Sequence, residues 1–186
     1  QVVKDIHARG FEVGAHGYLH ESWDVGADEE MLLRKSDKIL TDLLGAPPLG
    51  WRSPSGRKSG RTVEVLKDLG YIYDSSDKDY DLPYVVRVDG KPVEGMMELP
   101  SSAFSLDDHP FYKFSMTPPS EVLAHWREEF DTLYNENGYF MLMVQPKQDD
   151  SIKQSPPREL VFLVDVSGSM GGAPTEKVKQ TMQKLL

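Results

Sequence analysis

Short apolar strands alternate with amphipathic helical segments along most of this chain, and that alternation restricts the fold more than any other feature. Val2, Val3 and Ile6 form a short amphipathic segment closed by Gly10, and Phe11–Ala15 reads as a strand. Asp28 is placed to cap a helix with apolar positions at Leu32, Leu33, Leu40, Leu43 and Leu44, which Gly45 and Pro47–Pro48 stop. Leu49–Arg52 is a short strand. Val63, Leu66 and Leu69 mark a second helix ended by Gly70, and Tyr71–Ser75 is again strand-like. Thr117 and Pro118 suit a helix start. Val122, Leu123, Trp126, Phe130, Leu133 and Tyr134 then keep the 3.6-residue period to Gly138. Tyr139–Val144 is continuously apolar, as a strand covered on both faces is. The pattern implies an α/β fold with a largely parallel sheet, whose site lies at the carboxyl ends of the strands. Residues 77–118 are broken by prolines and read as irregular, a stretch of a length that is usually functional or holds short strands the sequence does not place.

The character changes after Pro146. Residues 148–157 are polar, carry a Pro-Pro pair and read as a linker. A further apolar strand is expected at Leu160–Val164. It leads into Asp165-Val-Ser167-Gly-Ser169, a glycine pair, and a helix opened by Pro174 with Val178, Met182 and Leu185 on one face. The 186 residues suit one domain, or one domain and part of another.

A net charge of −9 argues against a nucleic-acid or anionic-membrane surface, since both need clustered Lys and Arg. No apolar run reaches the roughly 20 residues of a membrane span. With no cysteine, disulfide scaffolds, thiolate metal sites and cysteine nucleophiles are excluded. The compartment stays open, cytoplasmic or cell envelope for a longer parent protein. Gln1 and Leu186 both read as cut ends.

His16-Gly-Tyr-Leu-His20 follows directly on the Phe11–Ala15 strand. Two imidazoles four residues apart at a strand end can converge on one cation. Zinc accepts neutral imidazole, and catalytic sites add a carboxylate while keeping a position open for water. Taken alone, two solvated loop histidines are the simpler reading. Glu21 follows the second histidine, the wrong order for the helical zinc-protease motif.

The surrounding residues weigh against that simpler reading. Gly10-Phe-Glu-Val-Gly-Ala-His16-Gly-Tyr-Leu-His20-Glu21 resembles the second motif of the polysaccharide deacetylases, the NodB-homology or carbohydrate esterase family 4 domain. Gly17 stands where that motif usually has Ser or Thr. The Gly-Tyr variant is similar to the branch containing peptidoglycan-deacetylase-like proteins and cyclic-amide hydrolases related to allantoinase. Gly50-Trp-Arg52-Ser-Pro54-Ser-Gly56 resembles the family's Arg-x-Pro motif. Tyr71-Ile-Tyr-Asp-Ser-Ser76, Glu98-Leu-Pro100 and Leu106-Asp-Asp-His-Pro110 resemble further segments of the same branch, so the resemblance covers residues 1–147.

That resemblance implies a partial, distorted (β/α) barrel and metal-assisted hydrolysis of an amide C–N bond in an N-acetylated polysaccharide or a cyclic amide. In such chemistry a divalent metal polarises the carbonyl and lowers the pKa of its water. An aspartate takes the water's proton, and a backbone N–H helps hold the oxyanion. His16 and His20 would be metal ligands, with zinc the expected ion. Arg52 would orient the base aspartate through a charge-assisted hydrogen bond. Pro54, Asp107 and Asp108 would line the substrate groove. The plainer readings are a structural ion-pair arginine and a solvated acidic pair. No catalytic role is expected for His7, His109 or His125.

Two parts of the family pattern are expected to be missing. The first motif, Thr-Phe-Asp-Asp, supplies the base and a third ligand, and would precede Gln1 by way of roughly two strands. The late motif offers a histidine before proline, where this sequence has Met143-Val-Gln145-Pro146. Gln145 cannot donate a proton as imidazolium does. It can hydrogen-bond substrate, or serve as an ordinary polar residue at a strand end. The chain is therefore expected to be deacetylase-like but inactive as it stands.

Leu160-Val-Phe-Leu-Val-Asp165-Val-Ser167-Gly-Ser169-Met170 resembles the opening of a von Willebrand factor type A (vWA) domain, residues 158–186. Asp165, Ser167 and Ser169 match its Asp-x-Ser-x-Ser metal-ion-dependent adhesion site, for which magnesium is the implied ion. The later threonine and aspartate of that site are absent from the sequence. A phosphate-binding loop is the competing reading, but the Gly-Lys-Ser/Thr ending is lacking. A chimeric reading frame joined near 147–157 is the simplest account of two such signatures. One further expectation is that the tail strand fills a vacant barrel place beside the last strand, bringing Asp165 near His16 and His20. The leading function is thus a deacetylase-type hydrolase; the rivals are a metal-dependent protein-binding module and a non-functional fragment.

Overall fold

The apolar stripes read from the sequence become the buried faces of three helices. The computed structural model describes residues 2–20, 26–102 and 105–144, and the backbone of 160–164. These fall into two units, one ending at Pro100 and the other beginning at Ser101, and each is described by itself.

The first unit opens with α1 (Val2–Ala8) and, after a 3-10 turn, α2 (Glu29–Leu44). Asp28 holds the N-cap position of α2 without a side-chain capping bond. Gly45 closes the helix at φ 81, the left-handed conformation glycine adopts without a Cβ penalty. Next come β1 (Gly50–Trp51), α3 (Gly60–Asp68), β2 (Tyr73–Asp74), β3 (Tyr84–Val88) and β4 (Lys91–Glu98). A reciprocal capping box between Ser59 and Thr62 fixes the start of α3. The sheet order is β1-β2-β4-β3; β1, β2 and β4 pair in parallel, and β3 is antiparallel to β4. Leu33 of α2 and Val63, Val65 and Leu66 of α3 pack with Trp51, Tyr71, Val86 and Met96 in the core.

One expectation changes here. Phe11–Ala15 is not a ladder strand: only Ala15 pairs, as an isolated parallel bridge to Trp51. Its N–H and C=O are the only backbone groups of that segment bonded across to Gly50 and Arg52 among the described residues. Within residues 77–118 the second of the two readings holds, because β3 and β4 form a hairpin. Asp89 and Gly90 at its tip have φ 49 and φ 76, the pair of positive values that a two-residue type I′ turn requires.

The second unit carries a single helical turn, α4 (Asp108–Pro110), running into a π-helical turn at Phe111–Ser115. Helix α5 (Pro119–Asn135) follows, then β5 (Phe140–Val144) and β6 (Leu160–Val164). Val122, Trp126 and Phe130 face inward from α5 and pack with Leu106, Phe140 and Leu142. β5 pairs with β6 antiparallel, Phe140 opposite Val164 and Val144 opposite Leu160. The tail strand does lie beside the last apolar strand. It runs in the opposite sense to one replacing a strand of a parallel barrel, where neighbours are parallel. Among the described residues the strands make one four-stranded and one two-stranded sheet, and no closed barrel. The expected linker at 148–157 and the helix after Pro174 lie outside the described residues.

Candidate functional site

Ala15 brings the histidine loop to the end of β1. Its N–H donates to the Gly50 carbonyl and its carbonyl accepts from the Arg52 N–H, each at 2.9 Å. His16 follows, and its Nδ1 lies 2.9 Å from the Arg52 carbonyl oxygen. A carbonyl can only accept, so Nδ1 carries the hydrogen and the neutral ring keeps its lone pair on Nε2. This is the tautomer of a metal-binding imidazole steadied by an outer carbonyl partner. The His20 ring stands edge-on to that of His16, with centroids 5.2 Å apart. His20 has φ 55, a left-handed conformation that histidine accepts more readily than most residues.

The loop between them is tied to α2. The Gly17 carbonyl accepts from Ser36 Oγ at 3.0 Å, and Lys35 Nζ sits 4.1 Å over the centre of the Tyr18 ring. Gly17 itself has φ 72. A side chain there would be strained, which accounts for glycine at the place of the usual Ser or Thr.

Arg52 is buried, and its Nη2 donates to Ser75 Oγ at 2.7 Å. Ser75 Oγ in turn donates to the Leu99 carbonyl at 2.6 Å. One residue on, the Ser53 N–H donates to Ser76 Oγ at 2.9 Å, and Ser76 Oγ donates to Asp74 Oδ1 at 2.5 Å. Asp74 ends this line beside Lys58. Lys58 Nζ contacts Asp74, Asp77 at 2.8 Å and Glu98 at 2.6 Å, and the side chains of Asp74 and Glu98 are wholly buried. The Asp77 N–H donates to Glu98 Oε1 at 2.9 Å, and Tyr84 Oη donates to Asp77 Oδ2 at 2.9 Å.

Charge in this cluster is arranged by burial and proximity. Burial works against the Lys58 ammonium, but Asp74, then Asp77 and Glu98, overcome it and hold its pKa above the usual lysine value. Burial, and then Asp74 alongside, push the Glu98 carboxyl up to about 8 against the pull of Lys58. Asp74, Asp77 and Glu98 offer carboxylate oxygens all within 4.8 Å of one another, a spacing that could suit a cation. Lys58 already supplies one. An open cavity of about 470 Å³ lies beside the cluster, lined by Ser55, Gly56, Ser76, Asp77, Lys78 and Asp79.

A family model described as polysaccharide deacetylase matches residues 1–73. A peptidoglycan deacetylase of Helicobacter pylori is 32% identical, over 77% of this chain and 60% of its own length. The crystal structure of a Mycobacterium smegmatis protein of the polysaccharide-deacetylase type matches with a TM-score of 0.57. It is 31% identical, over 70% of this chain and 48% of that one. The crystal structure of a Puue allantoinase matches with a TM-score of 0.59 and 28% identity, over 73% of this chain and 45% of that one. The chain is polysaccharide-deacetylase-like. It spans about half of the length of the proteins it matches.

For a deacetylase-like chain, the fold brings together His16, His20 and Arg52 from the predicted residues. Pro54 forms the turn after Arg52 and is half-buried. Asp107 and Asp108 are not a solvated pair: both are buried in the second unit. Asp107 is occupied in capping α4, its carboxylate accepting from the His109 N–H at 2.9 Å. Asp107 also forms an isolated parallel bridge with Met143. His125 Nε2 and Trp126 Nε1 both donate to the Ser105 carbonyl, at 3.1 and 3.0 Å, which gives His125 a structural role. Gln145, Asp165, Ser167 and Ser169 lie outside the described residues. Sequence reasoning missed Lys58 and the convergence of Asp74, Asp77 and Glu98 on it. The only signal was the proximity of these residues to the Arg52-Ser-Pro54, Tyr71–Ser76 and Glu98-Leu-Pro100 segments.

Proposed function

We propose that this chain carries part of the metal site of a hydrolase acting on amide C–N bonds, of the type that removes N-acetyl groups from polysaccharide or peptidoglycan. The observation that carries this reading is the His16 Nδ1 bond to the Arg52 carbonyl, with the His20 ring beside it. One hydrogen bond joins the two segments that sequence resemblance singled out, and it leaves His16 Nε2 in the acceptor state a cation needs. His16 and His20 would hold the ion, zinc being suited to a pair of imidazoles. A divalent ion there would supply a polarised carbonyl and a water of lowered pKa.

The chain's own residues do the rest of what can be assigned. Arg52 stays protonated at any working pH and presents a planar donor fork. One arm is held by Ser75, which fixes the guanidinium; its role under this reading would be to orient the base aspartate that the family resemblance implies. The cavity lined by Ser55, Ser76, Asp77 and Asp79 is polar and open, which suits the hydroxyls of a sugar ring. The similarity to a peptidoglycan deacetylase supports an N-acetylated sugar polymer over a cyclic amide, and the allantoinase similarity keeps the second class in view. The test is acetate release from a chitooligosaccharide by the zinc-loaded chain, beside its His16→Ala variant. Zinc binding that depends on His16 is expected, without acetate release, because no aspartate base is assigned among these residues. A folded chain that takes up no zinc would overturn the metal-hydrolase reading, and zinc-dependent acetate release would overturn the expected inactivity.

A further inference from the structure

We infer that Lys58 is a positioning residue for the histidine–arginine site, holding the Arg52–Ser53 peptide, and through it the His16 ring, by clasping Asp74, Asp77 and Glu98. The inference rests on the reading of His16 and His20 as metal ligands, and extends it to a residue that touches neither.

The path is short and each link is a hydrogen bond. Lys58 Nζ bonds Asp74, and the other oxygen of that carboxylate accepts from Ser76 Oγ at 2.5 Å. Ser76 Oγ accepts the Ser53 N–H at 2.9 Å. The Ser53 N–H and the Arg52 C=O belong to one peptide group. That group is planar and trans, so its N–H and C=O point in opposite directions and move together. On its far side the Arg52 oxygen accepts from His16 Nδ1 at 2.9 Å. The peptide is therefore held at both ends, by Ser76 on one side and by the imidazole on the other. Ser75, next to Asp74 in β2, holds the Arg52 guanidinium in the same way.

The ammonium is what lets Asp74 serve this path as a fixed carboxylate. Three carboxyl groups converge within 4.8 Å, two of them wholly buried. Glu98 keeps its proton, so Asp74 and Asp77 carry the charge; without a central cation these two would repel, and a buried carboxylate responds by taking up a proton or moving away. Either response alters the acceptor that Ser76 needs. Glu98 adds a second tether, since its other oxygen accepts the Asp77 N–H at 2.9 Å. Lys58 thus fills the place a metal ion would take in such a cage, using residues 16, 19 and 40 positions further along the chain.

The test compares the full chain with Lys58→Met, which keeps the aliphatic stem and removes the charge, and Lys58→Arg, which keeps the charge. The first readout is the His16 tautomer by ¹⁵N NMR in metal-free protein; the second is zinc affinity by calorimetry. Wild type is expected to hold the Nδ1–H tautomer. Lys58→Met should mix the two tautomers and weaken zinc binding by about 10-fold, the lower end of what losing a direct outer partner of a metal ligand costs, because Lys58 acts on that partner from a distance. Lys58→Arg should restore both. If Lys58→Met does not fold, Lys58→Met/Glu98→Gln removes a buried carboxyl group together with the ammonium and is read the same way. Unchanged tautomer and zinc affinity in a folded Lys58→Met or Lys58→Met/Glu98→Gln chain would overturn the role given to Lys58. Failure of wild type to bind zinc would instead defeat the metal-site reading, and the tautomer would still decide on Lys58.

Discussion

Gly17 shows how a single backbone angle can explain a departure from a motif. The related pattern carries Ser or Thr there, but in this chain φ is 72 and the carbonyl is fixed by Ser36 Oγ. A Gly17→Ser substitution should lower stability by about 1–2 kcal/mol, the cost of a left-handed conformation for a residue with a Cβ. Urea denaturation should record this as a lower midpoint at unchanged slope. The histidines and Arg52 stand out as candidates through the resemblance of their segments to a family pattern, because the spacing of two histidines alone is a weak signal. Lys58 does not, because its meaning depends on Asp74, Asp77 and Glu98, which only the fold brings to it.

Glu98 gives that cluster a pH signature. Its folded pKa lies near 8, above the ordinary 4.5, so between those values the folded chain keeps a proton that the unfolded chain releases. The native state then binds more protons, and stability falls as pH rises from about 4.5 to 8. Glu98→Gln should flatten the fall in stability over that window in pH-dependent urea melts. An equally steep fall in the variant would assign the slope to other groups.

Among the elements, the helices were the most legible from sequence. The stripes of α2, α3 and α5 repeat over several turns, and a long periodic signal survives local exceptions. β5 was clear for a related reason, since four of its five residues are buried and apolar. In the β3–β4 hairpin Asp89-Gly90 is a strong turn signal after the valines of β3, but β4 has a single β-branched residue, Val93, and reads weakly as a strand. Prolines at 83 and 92 obscured it, and both fit: one precedes β3 and the other sits near the start of β4. Phe11–Ala15 reads as a strand but pairs only at Ala15, because an apolar, extended segment looks like a strand whether or not a neighbour pairs with it. β1 depends on a close approach that its two residues do not advertise. A Cβ on Gly50 would fall 1.8 Å from Cζ of Tyr73, whose hydroxyl is held by Glu12. Gly50→Ala should therefore cost about 1–3 kcal/mol through overpacking, seen as a lower melting temperature.

At the scale of the whole molecule, two compact units share the described residues, and the candidate metal site belongs to the first of them. The sequence division at 147 follows motif resemblance, whereas the structural division at 100 follows packing, so the two boundaries answer different questions. The family-model match at 1–73 includes both histidines, Arg52, Lys58 and the first residue of β2, but not Asp74, Asp77 or Glu98. All three carboxylates of the clasp thus lie beyond that match, and only Lys58 falls within it.

The central claim is that His16 and His20 bind one divalent ion together. Calorimetric titration of zinc into the full chain, His16→Ala and His20→Ala tests it most directly. The account predicts binding at one site in wild type and at least tenfold weaker binding in each variant, as expected on losing one of few ligands. Zinc binding of equal affinity in all three proteins, or none in wild type, would contradict it.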